Sequence, residues 1–227
     1  MKDEPPLTAH STGDERTSTE IRIFEAALHA FARKGRDGAR MQEIADAAEI
    51  NKAMLHYYFR SKERLYAEVF HYVFHRFDQA FFEAVERAGE SSFAAALTAF
   101  VDHYIDFISR NMDVLRLMVN EFLAGGAVIR AEMEKMIAAG SAPPQRFARL
   151  ICRAVERGEI AEVEPRHFLL TLVSGCLFPF IARPMVSTLF PDMEDDFGGF
   201  LEDRKANLLA VLRRGIDLRP EASETGF

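Results

Sequence analysis

The run Ile44-Ala45-Asp46-Ala47-Ala48-Glu49-Ile50-Asn51-Lys52-Ala53-Met54-Leu55-His56-Tyr57-Tyr58-Phe59-Arg60-Ser61-Lys62-Glu63-Arg64-Leu65 contains two short helical patterns with a turn between them. Met41, Ile44, Ala45 and Ala48 recur at i, i+3, i+4, i+7, the spacing of one helix face. Ala48-Glu49-Ile50-Asn51 can turn the chain. Asn51 is a good N-cap for a helix from Lys52 to about Phe59, because its side-chain oxygen can accept from an unpaired first-turn amide. In that helix Ile50, Leu55 and Phe59 can face a core, while Lys52, Ala53, His56 and Tyr57 can face out.

Upstream, Thr17-Ser18-Thr19-Glu20 is a capping-box signature, followed by Phe24, Ala27, Leu28 and Phe31 on one face and Gly35 as a terminator. Downstream, Ser61 caps a long helix with an apolar face of Tyr66, Val69, Phe70, Val73, Phe77 and Phe81, expected to end at Gly89. Helical patterns continue at 93–109, 114–123, 128–139, 145–157, 166–181 and 201–214. Gly125-Gly126, Gly140 to Pro144, Gly158, Pro165, Pro184 and Gly198-Gly199 separate them. Pro179 should kink its helix and leave the Gly175 carbonyl without an amide partner. No strand-like alternation competes, so the expected fold is all-α with about nine helices: an N-terminal helix-turn-helix bundle and a C-terminal helical domain. The expected boundaries are a disordered arm 1–16, a first domain 17–66, a second domain 67–217 and a tail 218–227.

The chain has 227 residues, 48 % of them hydrophobic and 28 % charged, an ordinary globular composition that excludes overall disorder. Two cysteines, Cys152 and Cys176, exclude a disulfide scaffold and suit a reducing compartment. The longest apolar stretch, Phe168 to Ala182, has 15 residues including Pro179, short of the roughly 20 that span a bilayer. Met1-Lys2-Asp3-Glu4-Pro5-Pro6 has no apolar signal region. A cytoplasmic protein without a membrane partner is expected.

Net charge is −7, which alone argues against nucleic acid. Its distribution does not: residues 16–66 hold ten Lys and Arg against seven Asp and Glu, and the rest hold 18 against 28. An acidic body with a basic N-terminal segment suits a protein that presents one end to phosphates. Three short helices with a tight turn between the second and third have the layout of a helix-turn-helix, whose third helix lies in the major groove. Lys52 can reach a phosphate, and Tyr57 offers a ring to a thymine methyl and a hydroxyl to a base or phosphate. Lys62 stands at a helix start, where an ammonium and free amides can meet one phosphate together.

The run 44–65 resembles the signature of the TetR/AcrR-type transcriptional regulators, and the resemblance covers about residues 17–66. It implies a homodimeric one-component repressor. The N-terminal domain would bind a palindromic operator, with Arg40, Asn51, Lys52, Ala53, Met54, His56, Tyr57 and Lys62 at the DNA. The C-terminal domain would dimerise and bind a small inducer. The chain departs from the family pattern at four places. Glu49 replaces the usual turn glycine, Arg40 the usual Thr or Ser cap, Met54 a small or hydroxyl residue, and His56 a frequent Tyr.

Twenty phenylalanines and nine methionines can form core, line an adaptable pocket, or both. His103, Tyr104, Phe107, Phe122, Cys176 and Phe180 are the candidate lining residues, and a hydrophobic or aromatic ligand is expected. The two last long helices, 166–181 and 201–214, are expected to form the homodimer interface, with Leu201, Leu208, Leu209 and Leu212 supplying apolar surface. His71, His75 and Asp78 have metal-ligand spacing on one helix but read as an exposed polar face, so neither metal nor cofactor is expected. No nucleophile elbow, phosphate loop or paired carboxylates in an apolar setting points to an enzyme. The rival reading is a helical binding protein or enzyme that uses its N-terminal bundle for protein contacts.

Overall fold

The structure, a computed structural model, describes residues 18–216, except the side chains at 76–80, 192 and 194. The capping box at Thr17, the arm 1–16, the tail 218–227 and the side chains of Phe77 and Asp78 therefore lie outside the described residues. In chain order the elements are α1 (Ser18–Gly38), α2 (Met41–Ala47), α3 (Lys52–Phe59), α4 (Lys62–Ser91), α5 (Phe93–Arg110) and α6 (Met112–Leu123). Then follow α7 (Ala127–Ala138), α8 (Pro143–Glu156), α9 (Pro165–Ile181), α10 (Arg183–Leu189), α11 (Asp192–Asp195) and α12 (Phe197–Ile216). The all-α expectation holds, but the described residues form twelve helices, not about nine. Two of the additional ones, α10 and α11, are short. Pro184 starts α10 from within its first turn, and the acidic run after Pro191 winds into one helical turn.

The helices fall into two compact units. One combines the chain up to Arg76 with Arg110–Lys135, and the other combines Phe77–Ser109 with the chain from Met136 onward. In the first unit α1 packs most extensively against α6, and α2 packs against α1 and α3. Its core gathers Ile23, Phe24, Ala27 and Phe31 of α1 with Ile44 and Ala45 of α2, Leu55 of α3, Leu65, Tyr66 and Phe70 of α4, and Leu117 of α6. Phe24 stacks on Tyr72 at 4.9 Å and meets Phe59 edge-on at 5.4 Å, which ties α3 and α4 to α1. Gly35 takes φ +67° and breaks the regular part of α1, as its position predicts.

Buried polar groups of this unit are paired. Glu121 accepts from the Tyr66 hydroxyl at 3.1 Å and from the Val128 amide at 2.8 Å, so one carboxylate holds α4 and caps the first turn of α7. Burial and that carboxylate both push the Tyr66 phenol above its ordinary range.

The second unit is built on aromatic rings. Phe100 meets Phe81 at 4.9 Å and Phe147 at 5.2 Å, stacks on Tyr104 at 5.4 Å, and Phe147 stacks on Phe168 at 6.2 Å. The buried Lys205 ammonium lies 2.6 Å from Asp106 and 2.7 Å from Glu202. Burial disfavours its charge, but the two carboxylates outweigh burial and hold its pKa above the usual lysine value.

One expectation, about the end of α4, is corrected here. Gly89 does not end α4, which runs to Ser91. A Cβ at Gly89 would stand 3.0 Å from Leu150 Cδ2, so the glycine admits the close approach of α8. In α9 the helix continues through Pro179, and the sharp bend of 77° comes at the break before α10. The freed Gly175 carbonyl accepts from Arg204 Nε at 3.2 Å and Nη2 at 2.9 Å, so α12 supplies the donors that proline removed. A Cβ at Gly175 would stand 2.7 Å from Leu208 Cδ1, and its absence is what lets α12 approach α9 this closely.

Candidate nucleic-acid interface

The α2–turn–α3 geometry follows from local chemistry. Arg40 precedes α2 without any side-chain cap bond, as expected of a residue that cannot accept. At the other end of α2 the Glu49 amide donates to the Asp46 carbonyl at 3.2 Å and the Ile50 amide donates to the Ala45 carbonyl at 3.0 Å. That bond pair is a Schellman end, which requires a left-handed residue, and Glu49 takes φ +56°. One residue on, Asn51 accepts from the Met54 amide at 2.7 Å and starts α3. Ser61 accepts from the Arg64 amide at 3.2 Å and starts α4.

The two faces of α3 separate as the spacing predicts. Leu55 and Phe59 are buried, Ile50 is half-buried, and Asn51, Lys52, Ala53, Met54, His56 and Tyr57 are exposed, Tyr57 at 83 %. Arg40 is exposed beside them on the chain preceding α2. His56 Nδ1 lies 3.3 Å from the Arg60 carbonyl. A carbonyl only accepts, so Nδ1 is the donor in this contact.

Lys62 is placed differently from a free phosphate ligand. Its ammonium donates to the Asp37 carbonyl at 3.0 Å and the Ala39 carbonyl at 3.4 Å, and so ties the start of α4 to the α1–α2 turn. A lysine has three donors, which leaves one N–H.

The sequence reading missed three side chains. Tyr58, Arg60 and Arg64 join His56 and Tyr57 around an open groove of about 530 Å³. Arg60 takes φ +56° at the end of α3, and this backbone turn carries the groove from α3 to α4. The signal available was the i+3 and i+7 spacing of Arg60 and Arg64 from Tyr57. Two cations and a hydroxyl-bearing ring beside an exposed helix face suit a phosphate backbone next to base edges.

The candidate ligand residues are distributed as follows. Tyr104 belongs to the aromatic cluster of the second unit. Its phenol is held above the ordinary range by burial and by the neighbouring Cys176. Burial pushes the Cys176 thiol up to about 12, so it is an inert, protonated core group. Phe180 is buried edge-on to Phe197 at 5.7 Å. Phe107 is half-buried, and His103 is exposed with Nδ1 on the Ala99 carbonyl at 2.8 Å. Phe122 belongs to the other unit and is 58 % exposed.

An exposed recognition-type helix, a Schellman turn and a capped long helix define a helix-turn-helix DNA-binding protein. Residues 23–69 match the model described as bacterial regulatory proteins, tetR family, and residues 94–196 match a tetracyclin repressor-like C-terminal domain. The chain belongs to the TetR family of DNA-binding transcriptional regulators. It is 30 % identical to the HTH-type transcriptional repressor NicS of Pseudomonas putida over 124 residues, 55 % of this chain and 58 % of that protein. It is 28 % identical to the HTH-type transcriptional regulator RutR of Escherichia coli over 152 residues, 66 % of this chain and 68 % of that protein. In fold it is similar to the Bacillus subtilis regulator FadR, solved in complex with stearoyl-CoA. The TM-score is 0.65 at 16 % identity, over 87 % of this chain and 100 % of that one.

Proposed function

We propose that the protein is a cytoplasmic, homodimeric repressor that leaves a palindromic operator when a small hydrophobic ligand binds, and that it is not an enzyme. The observation that carries this reading is the exposed face of α3, which sets Lys52, Ala53, Met54, His56 and Tyr57 in solvent while Leu55 and Phe59 anchor the helix. Arg40, Asn51 and the remaining N–H of Lys62 complete the DNA contact set, with Arg60 and Arg64 added by the groove. Among the described residues no single helix is long and apolar enough to cross a membrane, which agrees with a cytoplasmic site of action.

The dimer uses α9 and α12, but not the leucines first expected to form it. Leu201, Leu208, Leu209 and Leu212 are all buried within one chain. The surface left for a partner is the outer stripe Leu170, Ser174, Phe178 and Ile181 of α9, extended by Val211 of α12. Two such helix pairs can pack as a four-helix interface and set two α3 helices at a fixed spacing for successive grooves. The ligand would bind in the aromatic second unit near Tyr104, Phe107, Cys176 and Phe180, with His103 at the edge of the site, while Phe122 stands in the first unit and is left out of it. Such surroundings favour an apolar molecule with one or two polar groups. The ligand acts by binding better to a conformer whose α3 helices are wrongly spaced.

A duplex selected by the protein from a random library, then titrated at several salt concentrations, tests the reading. Saturable binding to a palindrome with steep salt dependence is expected, and loss of that binding in a Lys52→Ala/Tyr57→Ala variant. Binding of the double variant equal to wild type would remove α3 from the interface.

A further inference from the structure

We infer that His71, His75 and Glu132 form a binding site for a divalent transition-metal cation, with zinc the best match. His71 and His75 stand one turn apart on α4, with ring centroids 4.2 Å apart. Glu132 comes from α7 and is buried, 4 % exposed, so it brings a carboxylate that no reading of α4 alone supplies. Glu132 Oε1 lies 2.7 Å from His71 Nδ1, and one ligand atom from each of the three residues lies within 4.8 Å of the others. Asp78, the third residue of the spacing on α4, has a side chain outside the described residues.

The donor chemistry selects the cation. Two imidazole nitrogens and one carboxylate oxygen suit zinc and its first-row neighbours, whereas calcium and magnesium require six or more oxygens, including water. Metal–ligand bonds of about 2.0–2.1 Å put tetrahedral ligand atoms about 3.3 Å apart, between the 2.7 Å contact and the 4.8 Å limit of this cluster. Small side-chain rotations therefore close the shell.

The carboxylate is already oriented. Lys135 donates to Glu132 Oε2 at 3.1 Å, which leaves Oε1 directed at the histidines. Three protein ligands leave a fourth position for water or a small anion, and the bound metal clamps α7 to α4.

The test uses the full chain, stripped of metal and without DNA, so its outcome is independent of operator binding. Zinc is titrated against a chromophoric chelator, and cobalt is used for its visible ligand-field bands. One equivalent per chain is expected, with a rise in melting temperature and a tetrahedral cobalt spectrum. His75 is exposed, so His75→Ala should fold normally and bind zinc at least about 10–100-fold more weakly, the loss known even for outer partners of metal ligands. His71→Ala should do the same. Glu132→Gln should also lose binding, and the two histidine variants decide the matter if it folds poorly. Cys152→Ser should bind as wild type does. No uptake of zinc or cobalt at micromolar concentration overturns the inference, as does uptake unchanged in both histidine variants.

Discussion

Helices α3 and α9 both leave large side chains in water, and the surroundings of those side chains differ. On α3 the exposed Tyr57 and Met54 alternate with Lys52 and His56, and Arg60 and Arg64 follow within a turn or two. On α9 the exposed Leu170, Phe178 and Ile181 have no Asp, Glu, Lys or Arg between them from His167 to Ala182. A ring among cations fits a polyanion with apolar base edges. An uncharged stripe fits a second copy of itself. In the proposed reading exposed apolar surface thus has two meanings in one chain, and the nearest charges separate them.

The sharpest way to break this contrast is to place a charge in the α9 stripe. Phe178→Glu should leave each chain folded, because Phe178 is more than half exposed, yet turn the dimer into a monomer. Operator affinity should then fall by about 10²–10⁴, because two linked recognition helices gain that much from effective concentration. Sedimentation and DNA titration on the same sample check both effects. A dimer of unchanged affinity would move the interface elsewhere.

Tyr57→Ala should act on the opposite side of the comparison. The dimer should persist, while discrimination between operator and unrelated duplex falls by about 1–3 kcal/mol. An equal loss on every duplex would make Tyr57 a phosphate contact instead of a base reader. Competition titrations with both duplexes separate the outcomes.

Beneath the α9 stripe, Gly175→Ala tests how α12 supports it. The new Cβ would meet buried Leu208 at 2.7 Å, so destabilisation of about 1–3 kcal/mol is expected from overpacking. Leu208→Ala removes the colliding group, so the double variant should lose less than the two single variants together. Urea denaturation of the four proteins closes the cycle, and strict additivity would mean the two residues do not press on each other.

The DNA-facing element was legible in the sequence because its signals are local. The Asn51 cap, the Glu49 turn and the Leu55–Phe59 anchor all lie within eleven residues. What was not legible depends on distant partners. Lys62 is taken up by carbonyls 25 and 23 residues earlier, and Arg204 reaches the Gly175 carbonyl across 29 residues. The α12 leucines read as surplus surface because a helix considered singly does not reveal that α9 covers it. Helices α10 and α11, seven and four residues long, are too short to show a period and form where tertiary packing holds them. Gly89 reads as a stop and Gly175 only as a freed carbonyl, although both admit a neighbouring leucine.

The smallest expected effect concerns the turn that aims α3. Among the described residues four helices end in the same bond pair, at Glu49, Gly125, Gly140 and Gly158. Three of them place glycine at the left-handed position, with φ +103°, +68° and +67°, and only α2 places a side chain there, at φ +56°. A Cβ in that conformation costs about 1–2 kcal/mol. Glycine would relieve the strain but would lose about 0.5–1 kcal/mol more chain entropy on folding. The Glu49 charge also stands at a helix C-terminus, where an anion costs about 0.3–1 kcal/mol. Glu49→Gly should therefore stabilise the protein by about 1 kcal/mol, read as a higher urea midpoint without DNA. Glu49→Ala separates the two causes, since alanine removes the charge and keeps the strained Cβ. It should gain clearly less than glycine. If alanine gains as much, removal of the charge accounts for the gain, and relief of the left-handed strain does no more than offset the chain entropy that glycine loses.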